Sequence, residues 1–203
     1  MVLVDDNYCF NYVDVGSKGR FSDGRIFRNS RFCEALTDKS LNIPENGIIV
    51  ADDAFPLTTQ IMKPYKKRNL SMPERIFNYR LSRARRIVEN AFGILAARFR
   101  VFEKDINLSP PKASKVVLAA CSLHNWLRKS NDRNYWANGI VDSENLELGT
   151  IAPGKWREIT QGLTSLRADR STNNPPKNAT NLRDRNCQYF NGEGAVPWQE
   201  KMI

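Results

Sequence analysis

The stretch from Ser71 to Phe99 constrains the fold more than any other part of the chain. Ser71-x-x-Glu74 is a capping box, and Pro73 sits in the first turn, where a helix tolerates a residue without an N–H. Phe77, Leu81, Ala84, Val88, Ala91, Phe92, Leu95 and Phe99 then recur at steps of three and four. That spacing predicts one long helix with a single apolar stripe, which must be buried against a layer of other elements. Glu89 falls on the edge of the stripe, beside Asn78, Arg85 and Arg100.

The segments around this helix supply that layer. Val2–Val4 and Tyr8–Val13 are β-prone runs around Asp5-Asp6-Asn7, which predicts a hairpin with Tyr8, Phe10 and Tyr12 on one face. Ser22-Asp23-Gly24 offers a cap for a helix from about residue 23 to 37. Next comes IIVADDAF at 48–55, whose uninterrupted apolar start suits a parallel strand covered on both faces. Lys63-Pro64-Tyr65-Lys66-Lys67-Arg68 reads as a basic loop. Beyond the long helix, 100–107 has the composition of a short strand. Pro110-Pro111 precedes a helix from about 112 to 129, with Val116, Ala119, Ala120, Leu123 and Leu127 as its packing face. From Asn131 onward the periodicity fades, and STNNPPKNATNLRDRN is polar enough to stay unfolded, which places a domain boundary near 131. The expected organisation is one α/β domain over 1–130 and a partly disordered extension over 131–203.

Charge and cysteine usage narrow the function classes. In 203 residues, 31 Lys+Arg against 22 Asp+Glu give a formal charge of +9, which favours a polyanionic partner such as nucleic acid. Cys9, Cys33, Cys121 and Cys187 lie far apart, with only His124 to join them, so neither a zinc module nor a disulfide framework is indicated. There is no basic-then-apolar leader, and no apolar run approaches the ~20 residues that span a bilayer, so a soluble protein in a reducing compartment is expected. No G-x-S-x-G elbow supports a serine hydrolase, and His124 reads as a packed, hydrogen-bonded helix residue.

Two acids at the end of an apolar strand are unusual. Strand ends in open α/β sheets open into a crevice where active sites lie, so Asp52 or Asp53 could serve chemistry; the alternative is an aspartate capping the following turn. Neighbouring strand residues point to opposite faces, so at most one of the pair faces a given site. Glu89, four residues after Arg85, has the same two readings: an ordinary helix-surface ion pair, or a ligand. Lys66, Lys67, Arg68, Arg85 and Arg86 are either a solvated surface or a set of phosphate contacts.

Several stretches together resemble the endonuclease domain of PIF/Harbinger-type transposases and their domesticated nuclease relatives, within the DDE superfamily. They are YVDVGSKGRFSDGRIFRNS at 12–30, IIVADDAFPL at 48–57, KPY at 63–65, FNYRLSRARRIVENAFGILAARFRVF at 77–102 and AACSLHNWLR at 119–128. The resemblance covers most of residues 1–130. It implies an RNase H-like mixed sheet flanked by helices, with three acids holding two divalent cations, Mg²⁺ or Mn²⁺, for attack on a DNA phosphodiester. The family's second acid matches Asp52 and its third matches Glu89, 89 − 52 = 37 positions later; Asp53 falls on a neighbouring, non-catalytic position. The first acid lies in the family on a central strand, in a Gly-x-Ile-Asp-Gly-like element, and the sequence starts after it; Asp14 matches a different position. The resemblance thus implies a sheet lacking its first strand and a nuclease impaired as the chain stands. It also implies a nuclear location and a helper DNA-binding protein as partner. The competing expectation is a catalytically inactive protein that keeps the basic surface and binds DNA or another partner.

Overall fold

In the computed structural model, residues 1–16, 23–41, 43–44, 47–130, 132–160 and 174–203 are described. The chain is mixed α/β, and its described strands pair in twos. It divides into two compact units, each taking residues from both sides of position 131.

The first unit holds the described residues among 1–18, 86–145 and 150–166. Its opening strands, β1 (Val2–Val4) and β2 (Phe10–Val13), form the expected antiparallel hairpin, with Val2 opposite Val13 and Val4 opposite Phe10. Asp5 builds the turn, its Oδ1 accepting the N–H groups of Asn7 and Cys9, each at 2.9 Å. Tyr8 takes φ 65° there, so it belongs to the turn and does not share a strand face with Phe10 and Tyr12.

Against β2 packs the helix Pro110–Lys129, which is α4 in chain order; Pro110 and Pro111 lie inside its first turn, where their missing N–H groups have no helical acceptor to lose. Asn125 on this helix accepts from Phe10 N at 2.8 Å and donates to Phe10 O at 2.9 Å, closing the backbone of β2 with a side chain. The buried face is Ala120, Cys121 and His124, whereas Ala119 and Leu123, expected to pack, are exposed. The residues expected as a strand at 100–107 instead open with a 3-10 turn at Arg100–Phe102.

The second unit holds the described residues among 19–85, 146–149 and 167–203. The helix expected over 23–37 is two, α1 (Asp23–Arg28) and α2 (Arg31–Thr37). Ser30 breaks them: its hydroxyl donates to Phe27 O at 2.7 Å and accepts from Cys33 N at 3.2 Å, ending one helix and capping the next. β3 (Ile49–Val50) pairs in parallel with β4 (Ile61–Met62), as the apolar run suggested, but the ladder is short and the chain turns at Asp53–Phe55.

The long helix is α3 (Met72–Arg98), and it starts at the capping box, Glu74 accepting from Ser71 N at 3.0 Å and Ser71 Oγ at 3.1 Å. Its residues up to Arg85 belong to the second unit and those from Arg86 to the first. Phe77 and Leu81 join the second unit's core with Leu57, Met62 and Tyr65, while Ala91 and Leu95 join the first unit's core with Phe10, Ala120 and Cys121. Ala84 and Phe92, expected on the stripe, are exposed, and Asn90 and Ile94 are buried instead.

Residues beyond 131 are structured where described. Tyr135, Ile140 and Trp156 cluster with Ile94, and the same stretch forms β5 (Ser143–Asn145), β6 (Thr150–Ala152) and α5 (Trp156–Ile159). The Asn/Pro-rich stretch expected to stay unfolded is helical from Lys177, forming α6 (Lys177–Asn191), which puts Ala179 and Cys187 into the second unit's core. Residues 171–173 of that stretch lie outside the described residues.

Candidate metal and nucleic-acid site

Asp52 lies two residues past the end of β3, after Ala51, and is half-buried. Ala51 N still bonds Met62 O at 2.9 Å, so the ladder holds the backbone up to the residue before the acid. The Asp52 carboxylate accepts the N–H of Ala54 at 2.9 Å, the turn-capping geometry. A carboxylate has about four acceptor sites, so one backbone bond orients Asp52 and leaves most of its capacity for another partner. Gly24 lets α1 approach this turn, since a Cβ there would lie 2.7 Å from Ala54 O.

Asp53 is held differently. It forms ion pairs with Lys63 at 3.5 Å and with Lys66, and Lys63 also donates to its backbone carbonyl at 3.2 Å. Burial pushes the Asp53 carboxyl up, but the Lys66 hydrogen bond and the charges of Lys63 and Lys66 outweigh it and leave the group below its ordinary range. Asp53 is thus an internal counter-ion for the basic loop. Lys67 pairs with Glu74 at 2.5 Å, so the loop is tied to the start of α3, and Arg68 is exposed.

Glu89 lies on α3 in the first unit, exposed, whereas Asp52 belongs to the second. Its surroundings come from residues that sequence reasoning did not single out. Asn90, next in the chain and 2 % exposed, accepts from Trp156 Nε1 at 2.7 Å and from Asp142 N at 3.1 Å. The Trp156 ring rests on Gly93, where a Cβ would come within 2.2 Å of it. Arg157 stacks on that ring at 4.2 Å and is gripped by Asp142 through Nε at 2.8 Å and Nη2 at 2.5 Å. Burial pushes Asp142 up, yet Arg157, the Gly154 N–H and the charge of Arg86 bring it below the usual range; in return the Asp142 hydrogen bond and the field of Glu89 raise Arg157. Arg86 is committed to Glu144 at 2.5 Å, with side chains 14 % and 7 % exposed. Arg85 is half-buried.

The donor type suits a hard divalent cation, since Asp52 and Glu89 both present carboxylate oxygens. The donor number does not: among the described residues no three His, Cys, Asp or Glu side chains gather into a metal-binding group. His124 is not a ligand. It is 0 % exposed, with Nδ1 2.6 Å from the Tyr135 hydroxyl and Nε2 2.9 Å from Tyr8 O. No helix among the described residues is long and apolar enough to cross a membrane.

Comparison with known proteins completes the picture. The family described as DDE superfamily endonuclease matches residues 1–125. "Protein ALP1-like" of Arabidopsis thaliana is 27% identical over 146 residues, 64% of this chain and 35% of that protein. "Putative nuclease HARBI1" of Rattus norvegicus is 30% identical over 148 residues, 70% of this chain and 40% of that protein. The Bos taurus protein of the same name is 33% identical over 122 residues, 54% of this chain and 33% of its own length. The chain therefore spans well under half the length of these curated relatives. No solved structure matches it. With the family match running through IIVADDAF and the arginine-rich helix that bears Glu89, the chain belongs to the DDE superfamily endonucleases.

Proposed function

We propose that this chain is the nuclease portion of a transposase-derived, divalent-metal-dependent DNA endonuclease of RNase H-like fold, with residues 1–130 carrying the chemistry. The family match over residues 1–125 is the observation that carries this reading, because it contains both Asp52 and Glu89. In that role the two carboxylates contribute to holding Mg²⁺ or Mn²⁺, which when bound stabilises the attacking and leaving oxygens of a phosphodiester. The chain's own contribution is to fix the ligands. The Ala54 N–H orients Asp52, and the docking of Trp156 and Asp142 on Asn90 holds the helix backbone beside Glu89. Lys66, Lys67, Arg68, Arg85 and Arg86 are the proposed phosphate contacts; for Lys66, Lys67 and Arg86 that means exchanging the partners Asp53, Glu74 and Glu144 for nucleic acid. DNA is the substrate on this reading, the nucleus its location, and a DNA-binding helper protein its partner.

Two carboxylates hold two cations poorly, so this chain by itself is expected to cleave slowly. The test is nicking of supercoiled plasmid with Mg²⁺, with Mn²⁺ and with chelator, alongside Asp52→Ala and Glu89→Ala variants. Cleavage that survives both substitutions undiminished sinks the assignment. The second reading, an inactive DNA-binding protein, is favoured by the absence of a three-carboxylate group among the described residues together with the +9 charge. It requires duplex binding that weakens steeply with salt, because phosphate contacts release counterions. Salt-independent binding would rule it out.

A further inference from the structure

Helix α4 has two faces of different chemistry. Its inward polar groups are committed: His124 meets Tyr135 and Tyr8, Asn125 closes β2, and Arg128 donates to Asn7 O at 3.1 Å while stacking on Trp136 at 4.2 Å. The opposite face is exposed along its length, at Lys112, Lys115, Ala119, Ser122, Trp126 and Lys129. These six recur at steps of three and four, so they form one stripe along the helix. Leu118 and Leu123 flank the stripe and are also exposed, and Trp126 is 65 % exposed. A single exposed leucine is ordinary, but two leucines and a tryptophan side by side on one helix face mark a surface that a partner would cover.

The spacing suits another helix. Ala119, Ser122, Leu123 and Trp126 stand at i, i+3, i+4 and i+7, the set that forms a hole for one side chain of a facing helix, and Lys115, Leu118, Ala119 and Ser122 repeat the set one turn earlier. The small Ala119 and Ser122 belong to both holes, between the larger Leu118, Leu123 and Trp126. The Ser122 hydroxyl already donates to Leu118 O at 2.9 Å, so covering it strands no donor. Charge selects the occupant. Lys112 and Lys115 lie at one end of the stripe and Lys129 at the other, 129 − 112 = 17 positions or about 26 Å apart, and α4 contains no acidic residue. A second copy laid on this face, in either direction, would set lysines against lysines. A duplex would offer phosphates to the lysines but leave the apolar middle unmatched. A helix with an apolar stripe and flanking carboxylates matches both the holes and the lysines.

We propose that the outward face of α4 is a docking surface for an acidic amphipathic helix of a partner protein, whose apolar side chains enter the two holes while its carboxylates meet Lys112, Lys115 and Lys129. This role goes beyond the nuclease reading and holds whether or not the chain cleaves DNA.

The probes are two synthetic helical peptides of about five turns with the same leucine stripe, one carrying glutamates beside it and the other lysines. In fluorescence anisotropy against the full chain, the acidic peptide is expected to bind at least about 10-fold more tightly, and the difference should shrink as salt rises. Leu123→Ser/Trp126→Ser should weaken the acidic peptide at least about 10-fold, with circular dichroism checking helix content. Lys112→Glu/Lys115→Glu/Lys129→Glu should reverse the preference between the peptides, a readout that does not depend on how the first variant folds. Equal binding of the two peptides, binding untouched by Leu123→Ser/Trp126→Ser, or no binding of either peptide overturns the assignment. So does a dimer in analytical ultracentrifugation that Leu123→Ser/Trp126→Ser dissociates, which gives the face to a second copy. Sedimentation with phosphatidylserine vesicles that is lost in the same variant, in place of peptide binding, gives it to a membrane surface and overturns the assignment as well.

Discussion

The single histidine offers a measurement free of overlap. His124 is buried, and a neutral ring satisfies both of its bonds: Nε2–H donates to Tyr8 O at 2.9 Å, and Nδ1 accepts from the Tyr135 hydroxyl at 2.6 Å. Burial pushes its pKa below 6.5; the Tyr8 carbonyl opposes this and the Arg128 charge adds to it, leaving a net lowering. A depressed histidine pKa means that the unfolded chain binds the proton first. Stability is therefore full above about pH 6.5 and falls as pH drops below it, until the folded pKa is reached. One proton is worth ~1.36 kcal/mol per pH unit, so the loss between pH 6.5 and 5 is at most ~2 kcal/mol. Urea unfolding at pH 7, 6, 5.5 and 5 measures the loss. Proton NMR of the lone imidazole measures the cause, since no other histidine contributes a signal. A ring that titrates near 6.5 in the folded chain, with stability flat across the window, would refute the reasoning.

Three further outcomes follow from packing and charge. Gly93→Ala should destabilise by ~1–3 kcal/mol in urea unfolding, because the new Cβ overlaps the Trp156 ring at 2.2 Å; the propensity gain of alanine over glycine, ~1 kcal/mol, is smaller than a clash with a ring locked by Asn90, so net stabilisation would contradict this. Ser30→Ala removes the bonds to Phe27 O and Cys33 N and should cost ~0.5–2 kcal/mol by thermal or urea unfolding. Asp142→Asn should cost ~1–3 kcal/mol at pH 7, where the buried carboxylate holds Arg157 and Gly154 N. Because the Asp142 pKa is lowered by folding, its contribution is present above about pH 3.8 and is lost as pH falls below it, so the gap between wild type and variant should narrow only below about pH 3.8. A pH-independent gap would count against the charge argument.

The elements that sequence reading located are those whose signal is local. The Asp5 turn and the Ser71–Glu74 box each act over a few residues and form where the sequence placed them, and the paired prolines mark the start of α4 to within two residues, falling inside its first turn. The failures share another cause: partners distant in the chain. On α4 His124 is packed and hydrogen-bonded as expected, but the partners of His124 and Asn125, Tyr8 and Phe10, lie more than a hundred positions away, and Ala119 and Leu123, expected to pack, face outward. On α3 the exposed Phe92 and the buried Asn90 exchange expected places because Trp156 and Asp142 supply Asn90 with donors. The helical α6 was hidden by composition, although Ala179, Leu182, Cys187 and Phe190 carry a helical spacing that its asparagines and arginines outnumber.

The candidate site divides along the same line. Asp52 and Glu89 came from the resemblance, not from spacing, and the local structure of each is compatible with the bland role that spacing alone suggested: a turn cap for Asp52, a surface helix position for Glu89. The arginines were legible as a cluster but not as partners, because their counter-groups lie after residue 131, where no periodic signal marks them. Glu144 takes Arg86, Asp142 takes Arg157, and the Trp198 ring takes Arg83. Arg86 faces a nearly buried carboxylate, so moving it costs a desolvated ion pair. Arg86→Gln is accordingly expected to lower stability, in urea unfolding, more than it lowers DNA affinity.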